Sequence, residues 1–194
     1  MLKRVKIIVL KAFPFRESDL IVKGLSSDGL QMNFIAKGAL KSKKRFAGGV
    51  LEPSSFIEAE YQPSSQSLHH LRQAWMLEDF HDLRKDYDRL QMAFYILKTA
   101  GALSLEGEEG DSKELFSLVG NALLETQRSP RLDTLKLFFQ IKLLFLQGVL
   151  PQNLSRQEIL NKTLKDHHSF NMNEEEQKKI SEQVDQALNH YLHL

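Results

Sequence analysis

The chain has 194 residues, 42% of them apolar, a formal net charge of +1 and no cysteine. That is enough apolar content for a packed core, so a disordered chain is excluded, as are a disulfide framework and a thiolate zinc site. Near-neutrality conceals an asymmetry: residues 1–75 carry 12 Lys and Arg against 6 Asp and Glu, and residues 76–194 carry 14 against 19. The front suits a polyanion, and the acidic rear suits solvation or protein contacts.

In chain order, the basic start up to Lys11 contains too short an apolar run for a signal-peptide core and reads as a strand. Val5-Lys-Ile-Ile-Val-Leu-Lys-Ala-Phe13 is rich in β-branched residues and is stopped by Pro14, which predicts strand. Leu20–Leu25 and Leu30–Ala36 follow, joined by the turn Ser26-Ser-Asp-Gly29. Ser55–Tyr61 alternates as a strand, the polar Gln62-Pro-Ser-Ser-Gln-Ser67 makes a turn, and Leu68–Leu77 is a fifth strand. Five short strands without a crossover helix predict a small antiparallel barrel. The five-stranded oligonucleotide-binding (OB) barrel is one solution, and an SH3-like barrel fits the pattern nearly as well.

The period changes after Glu78. Tyr87, Leu90, Ala93, Phe94 and Leu97 recur at helical spacing, as do Leu115, Leu118, Val119, Ala122 and Leu123 behind a cap-like Asp111 with Glu114. Leu132–Leu146 is apolar on nearly every side and ends at Gly148 and Pro151, and Ile180, Val184 and Leu188 mark a last helix. The fold class expected is therefore α+β, with a barrel over 1–78 and an α-helical bundle over 79–194. Leu135–Leu150 is short for a membrane span and is broken by Lys136, Gln140, Lys142 and Gln147, so a soluble protein is expected.

The candidate chemistry concentrates between the third and fourth strands. Lys37, Lys41, Lys43, Lys44 and Arg45 fall within nine residues, hinged by Gly38 and closed by Gly48 and Gly49. Such a loop can track phosphates without reading bases. Phe46 beside it is either a base-stacking surface or a plug packed on the barrel. Lys3, Arg4, Lys6, Lys11, Arg16, Lys23 and Arg72 rank below the loop, because pattern alone does not fix their side of the sheet.

Glu106, Glu108, Glu109 and Asp111 lack the alternating ligand spacing of a calcium loop and read as an interhelical loop. The pairs His69-His70 and His167-His168 are adjacent and therefore not chelating. No hydrolase or nucleotide-binding motif is present, so no catalytic residue is assigned and no enzyme is expected. The Leu135–Leu146 run reads as a bundle core. It could also border an apolar groove with Arg131, Lys136 or Lys142 at its rim, receiving an acidic peptide tail.

Several of these segments together resemble a known family. Ile7-Ile-Val-Leu10, Glu17-Ser-Asp-Leu-Ile-Val22, Ser27-Asp-Gly-Leu30, Ala36-Lys-Gly-Ala-Leu-Lys-Ser-Lys-Lys-Arg-Phe46 and Leu51-Glu-Pro53 are similar to the bacterial RecO family of DNA repair and recombination proteins. The rear agrees more loosely, through Leu146-Gln-Gly-Val-Leu-Pro151. Many relatives follow that proline with a four-cysteine zinc site, whereas Gln152-Asn-Leu-Ser-Arg-Gln-Glu has no cysteine; no zinc and no other cofactor is expected.

The resemblance implies an N-terminal OB fold and an α-helical C-terminal part in a cytoplasmic, nucleoid-associated protein. It implies binding of single- and double-stranded DNA, strand annealing, and cooperation with RecR to load RecA on strands coated by the single-stranded DNA-binding protein. In some relatives the acidic tail of the coating protein docks in the helical part, which brings the groove near Lys136 forward. The competing readings are an RNA- or ribosome-binding OB module, a protein-interaction adaptor, and a metal-dependent nuclease built on the Glu106–Asp111 acids.

Overall fold

The computed structural model describes residues 1–104 and 113–192. Strand β1 (Lys3–Phe15) buries Ile7, Ile8, Val9 and Leu10 in succession, a run that period-2 alternation allows only where both faces of a strand are covered. Ile7 and Val9 point into a barrel core, while Ile8 and Leu10 join a second cluster made largely of helical side chains.

The other strands are β2 (Asp19–Ser26), β3 (Gln31–Ala36), β4 (Phe56–Gln62) and β5 (Leu68–Glu78). They close in the order β1-β2-β3-β5-β4, with β3 and β5 parallel from Asn33–Leu68 to Ile35–His70 and every other seam antiparallel. That is the strand order of the OB barrel, so the SH3-like alternative falls away. The turn between β2 and β3 closes at Gly29, whose φ of 81° suits glycine. At Gly24 a Cβ would stand 2.7 Å from Ile7 Cδ1, so glycine there lets β1 and β2 pack inside the barrel.

β1 runs to Phe15, two residues beyond the end expected at Phe13 before Pro14. Its pairing to β4 ends at Ile8, so at Pro14 the strand has β2 as its single neighbour and a missing N–H costs no ladder bond on the open side.

The helices are α1 (Tyr87–Leu103), α2 (Lys113–Thr126), α3 (Leu132–Leu146), α4 (Gln157–Leu160) and α5 (Glu174–Leu192). Asp86 caps α1 by accepting from Arg89 N at 2.9 Å. In α3, Leu135, Phe138, Phe139, Ile141 and Leu144 are all buried, as expected of the central helix of a bundle. The barrel contributes Ile8, Leu10 and Leu25 to this same cluster, and Ile8 Cδ1 lies 3.7 Å from where a Cβ on Gly120 would be. The single-turn α4 and the turns Gln152–Leu154 and Leu164–Ser169 carry too few residues for a helical period, and the pattern did not predict them.

Candidate nucleic-acid interface

The basic segment leaves β3 at Ala36 and is held at two ends. Gly38, at φ 66°, donates its N–H to Asp19 Oδ1 at 2.8 Å, and Leu40 donates to the Ser18 carbonyl at 3.0 Å. Asp19 thus ties the loop to the β1–β2 turn. A short turn at Ala39–Lys41 follows. Beyond it the chain rejoins the barrel, where Ala74 of β5 donates to the Arg45 carbonyl at 3.1 Å. Ala39, Phe46, Val50 and Leu51 are buried with the barrel core, so the loop is pinned by apolar side chains while its charges face water.

Lys37, Lys41, Lys43 and Lys44 are exposed, and no carboxylate pairs with any of them among the described residues. Arg45 is different. Its Nη2 donates to the Lys37 carbonyl at 2.9 Å, its N–H donates to Ser42 Oγ at 3.2 Å, and its guanidinium lies 5.2 Å from the Phe46 ring centroid. Arg45 therefore clasps the loop it belongs to. Phe46 is 7% exposed and packs in the barrel core, so of its two expected roles the burial favours the plug over the base-stacking surface.

The remaining cations of the front half now have positions. Arg4 is paired with Glu60 at 3.0 Å and Glu58 at 3.5 Å and lies 4.7 Å from the Trp75 ring centroid, and Arg72 is hydrogen-bonded to Gln62. Lys11 and Lys23 are cross-strand partners on β1 and β2. Arg16, at φ 57°, lies in the β1–β2 turn beside the residues that anchor the loop.

In the helical part the three cations considered for an acidic tail do not converge. Lys136 Nζ is paired with Asp185 at 2.9 Å and stands 5.0 Å from the Tyr95 ring centroid. Arg131 donates to the carbonyls of Phe170 at 2.7 Å and His168 at 3.2 Å. Lys142 donates to the Leu160 carbonyl at 3.2 Å, and desolvation holds its ammonium below the usual lysine range. Arg131 and Lys136 flank one hollow of about 630 Å³, and Lys142 is not among its walls. Of the alternatives Arg131, Lys136 or Lys142 expected at the rim of a groove, the first two share this hollow. Beside Lys136, burial pushes the Tyr95 phenol up to about 12, and Gln140 donates to its oxygen at 2.6 Å.

The histidine pairs split between inside and outside. His69 packs against Phe34 and Tyr61, while His70 is half-buried. His167 is buried: its Nδ1–H donates to the Leu164 carbonyl at 2.7 Å, and Nε2 lies 2.6 Å from Ser129 Oγ. The Leu164 carbonyl fixes a proton on Nδ1, burial holds the imidazole below its ordinary range, and both side chains are sealed from solvent. No group of three or more metal-ligating residues occurs among the described residues. The acids Glu106, Glu108, Glu109 and Asp111 lie outside them. None of the described helices is long and apolar enough to cross a membrane.

Comparison with known proteins points one way. Residues 1–80 match the family model described as recombination protein O N terminal. The chain is 34% identical over 146 residues to the DNA repair protein RecO of Syntrophus aciditrophicus (strain SB), covering 74% of this chain and 54% of that protein. It is 33% identical over 161 residues to the DNA repair protein RecO of Thermodesulfovibrio yellowstonii, covering 78% and 61%. The chain thus spans between half and two thirds of the length of these curated relatives.

Proposed function

The chain belongs to the RecO family, and from that premise we propose that it is a non-enzymatic DNA-binding protein of recombinational repair whose phosphate-contacting element is the loop at the end of its barrel. The observation that carries this reading is the set of four exposed lysines, Lys37, Lys41, Lys43 and Lys44, without acidic partners among the described residues, on a loop anchored by Asp19 and clasped by Arg45. Lysines on a fixed backbone track phosphates of any sequence, which suits both single strands and duplexes.

Annealing has a physical account in the same terms. A cationic surface that holds two strands lowers their mutual repulsion and raises their local concentration, with no bond made or broken in the protein. Cooperation with RecR in loading RecA on coated strands belongs to the same proposal. An acidic tail of the coating protein would enter the hollow beside Arg131 and Lys136, where its carboxylate would replace Asp185 as the partner of Lys136.

The test is strand annealing with bare and with coated complementary oligonucleotides at two salt concentrations. Acceleration on both, lost when the four lysines are changed together to glutamine, supports the reading. Annealing that the coat abolishes would reduce the protein to a simple polycation. Unchanged DNA affinity in the quadruple variant would remove the loop from the interface, and preference for RNA over DNA of equal length would point to a reader of the 2′-hydroxyl.

A further inference from the structure

Lys136 stands on the wall shared by two hollows of the helical part, of about 640 and 630 Å³. The first opens toward α1 through Gln91, Met92 and Tyr95, and the second toward α5 through Gln177, Ser181 and Asp185. The second is charge-balanced by its own lining. Arg131, Lys136 and Lys178 face Asp133, Glu174 and Asp185 there.

Of these acids, Asp185 is the one that holds a cation of the hollow. Lys136 Nζ donates to its two oxygens at 2.9 and 3.1 Å, and Gln140 Nε2 adds a bond to Oδ1 at 2.6 Å. An ammonium and an amide converging on one carboxylate make a set of charge-assisted bonds, the kind that captures an acidic ligand. Here the carboxylate comes from α5 of the same chain.

The seam that carries Asp185 is lightly fastened. α5 buries Ile180, Val184 and Leu188, whereas α3 buries nine residues. Its other polar ties are Glu176 with Arg156 at 3.1 Å, Gln177 with Thr134 at 3.3 Å and Tyr191 with Gln147 at 3.4 Å. The Lys136 and Asp185 side chains are 34% and 40% exposed, a setting in which an ion pair adds little stability. Gln140 is buried, yet its Oε1 has no partner among the described residues, so the inner end of the cluster is incompletely satisfied. Few apolar anchors and half-exposed polar ties mark an element that opens locally at low cost.

We propose that Asp185 is a built-in competitor: α5 occupies Lys136 with a carboxylate of the chain's own, and an acidic peptide enters the hollow by displacing Asp185 and loosening the turn that carries it. This rests on the reading of the hollow beside Arg131 and Lys136 as an acidic-tail site and adds a threshold to it. A lone carboxylate exchanges one ion pair for another. A run of carboxylates also reaches Arg131 and Lys178, which have no carboxylate partner among the described residues, and that surplus drives the exchange. The hollow therefore selects a run of acids over a single one.

The experiment measures anisotropy of a labelled hexaglutamate peptide on the full chain with the four loop lysines changed to glutamine, which keeps the loop from capturing the probe. In that background Asp185→Asn should tighten binding about tenfold, as for a site open in roughly one molecule in ten. Glu174→Gln removes the same charge from the same hollow without freeing Lys136, and should change affinity by less than about twofold, as a screened surface charge. Lys136→Met should lose the peptide. Hydrogen exchange on the chain that keeps Asp185 should show amides of residues 181–190 exchanging faster when the peptide is saturating. This also decides the matter if melts show Asp185→Asn to be poorly folded.

Equal tightening by Asp185→Asn and Glu174→Gln would reduce the effect to general charge and overturn the competitor. If Lys136→Met loses the peptide while Asp185→Asn leaves affinity unchanged and α5 exchange does not quicken, the guest joins without displacing Asp185. The proposal then fails and the tail site stands. If Lys136→Met binds as well as its parent, or no variant binds hexaglutamate, the reading of the hollow fails and the competitor with it.

Discussion

The guanidinium of Arg45 donates a hydrogen bond to the backbone carbonyl of Lys37, closing an eight-residue span at 2.9 Å. One of the five cations in the loop therefore shapes the loop that presents the other four.

This predicts that Arg45 and its lysine neighbours respond differently to substitution. Arg45→Lys keeps the charge but cannot keep the planar clasp over Phe46, so DNA affinity should fall while the salt slope stays near that of the parent. Lys43→Gln should lower the slope by about 0.7 to 0.9. The contribution of the clasp to folding is about 0.5–1.5 kcal/mol, so both variants should unfold within a few degrees of the parent. Titrations at three salt concentrations, with thermal melts alongside, check both parts.

Phe46 should behave as a core residue. Phe46→Ala is expected to cost ~3–5 kcal/mol, read by chemical denaturation, and Phe46→Leu less than about 1.5 kcal/mol. At a temperature where Phe46→Leu is fully folded, its DNA affinity should equal that of the parent. A selective loss of binding without loss of stability would return the ring to the interface.

The loop was legible in the sequence as charge, but its mechanics were not. The five cations and the glycines stand in one short stretch, whereas the anchor of the loop depends on Asp19, nineteen residues before Gly38 and unremarkable by itself. Phe46 carried two readings because an aromatic beside glycines reads alike as plug or platform, and depth of burial separates them. The barrel was legible from five β-rich runs and their turns. The two-sided burial of Ile7 to Leu10 was not, since it requires knowing that helices cover the outer face of β1. For Arg131, Lys136 and Lys142 the deciding partners come from 18 to 49 residues away, beyond any local pattern.

Stability should carry a histidine signature on the acid side. Burial holds the His167 imidazole below its ordinary 6.5, so the unfolded chain takes up a proton more readily than the folded one. The neutral ring therefore favours the fold fully above pH 6.5, and that contribution is lost as pH falls from 6.5 through the depressed folded value. His167→Gln should flatten this part of the curve, so the stability difference between parent and variant narrows on acidification. Urea denaturation at pH 7.5, 6.5 and 5.5 reads it.

Dividing the chain near residue 78 has a cost that can be measured. A fragment of residues 1–80 would bare Ile8, Leu10 and Leu25, which are 1%, 8% and 0% exposed in the whole chain. The fragment should self-associate in size-exclusion chromatography with light scattering, and Ile8→Thr/Leu10→Gln should return it toward a monomer. A parent fragment that stays monomeric and cooperatively folded would show that the barrel does not depend on its helical cover.

The parallel seam between β3 and β5 also imposes an order of events during synthesis. β1, β2 and β3 are joined by short turns and can pair as they emerge, but Asn33–Ile35 must wait for Leu68–His70, with the whole lysine loop and β4 lying between. Closing that long span is the late, entropically expensive step of a high-contact-order barrel. Until it happens, one edge of β3 stands open beside the most basic segment of the nascent chain. The lysines of the loop are then a charged neighbour that discourages a second strand from adding to that edge. The residues proposed to meet a polyanion in the finished molecule can thus guard the unfinished one against aggregation.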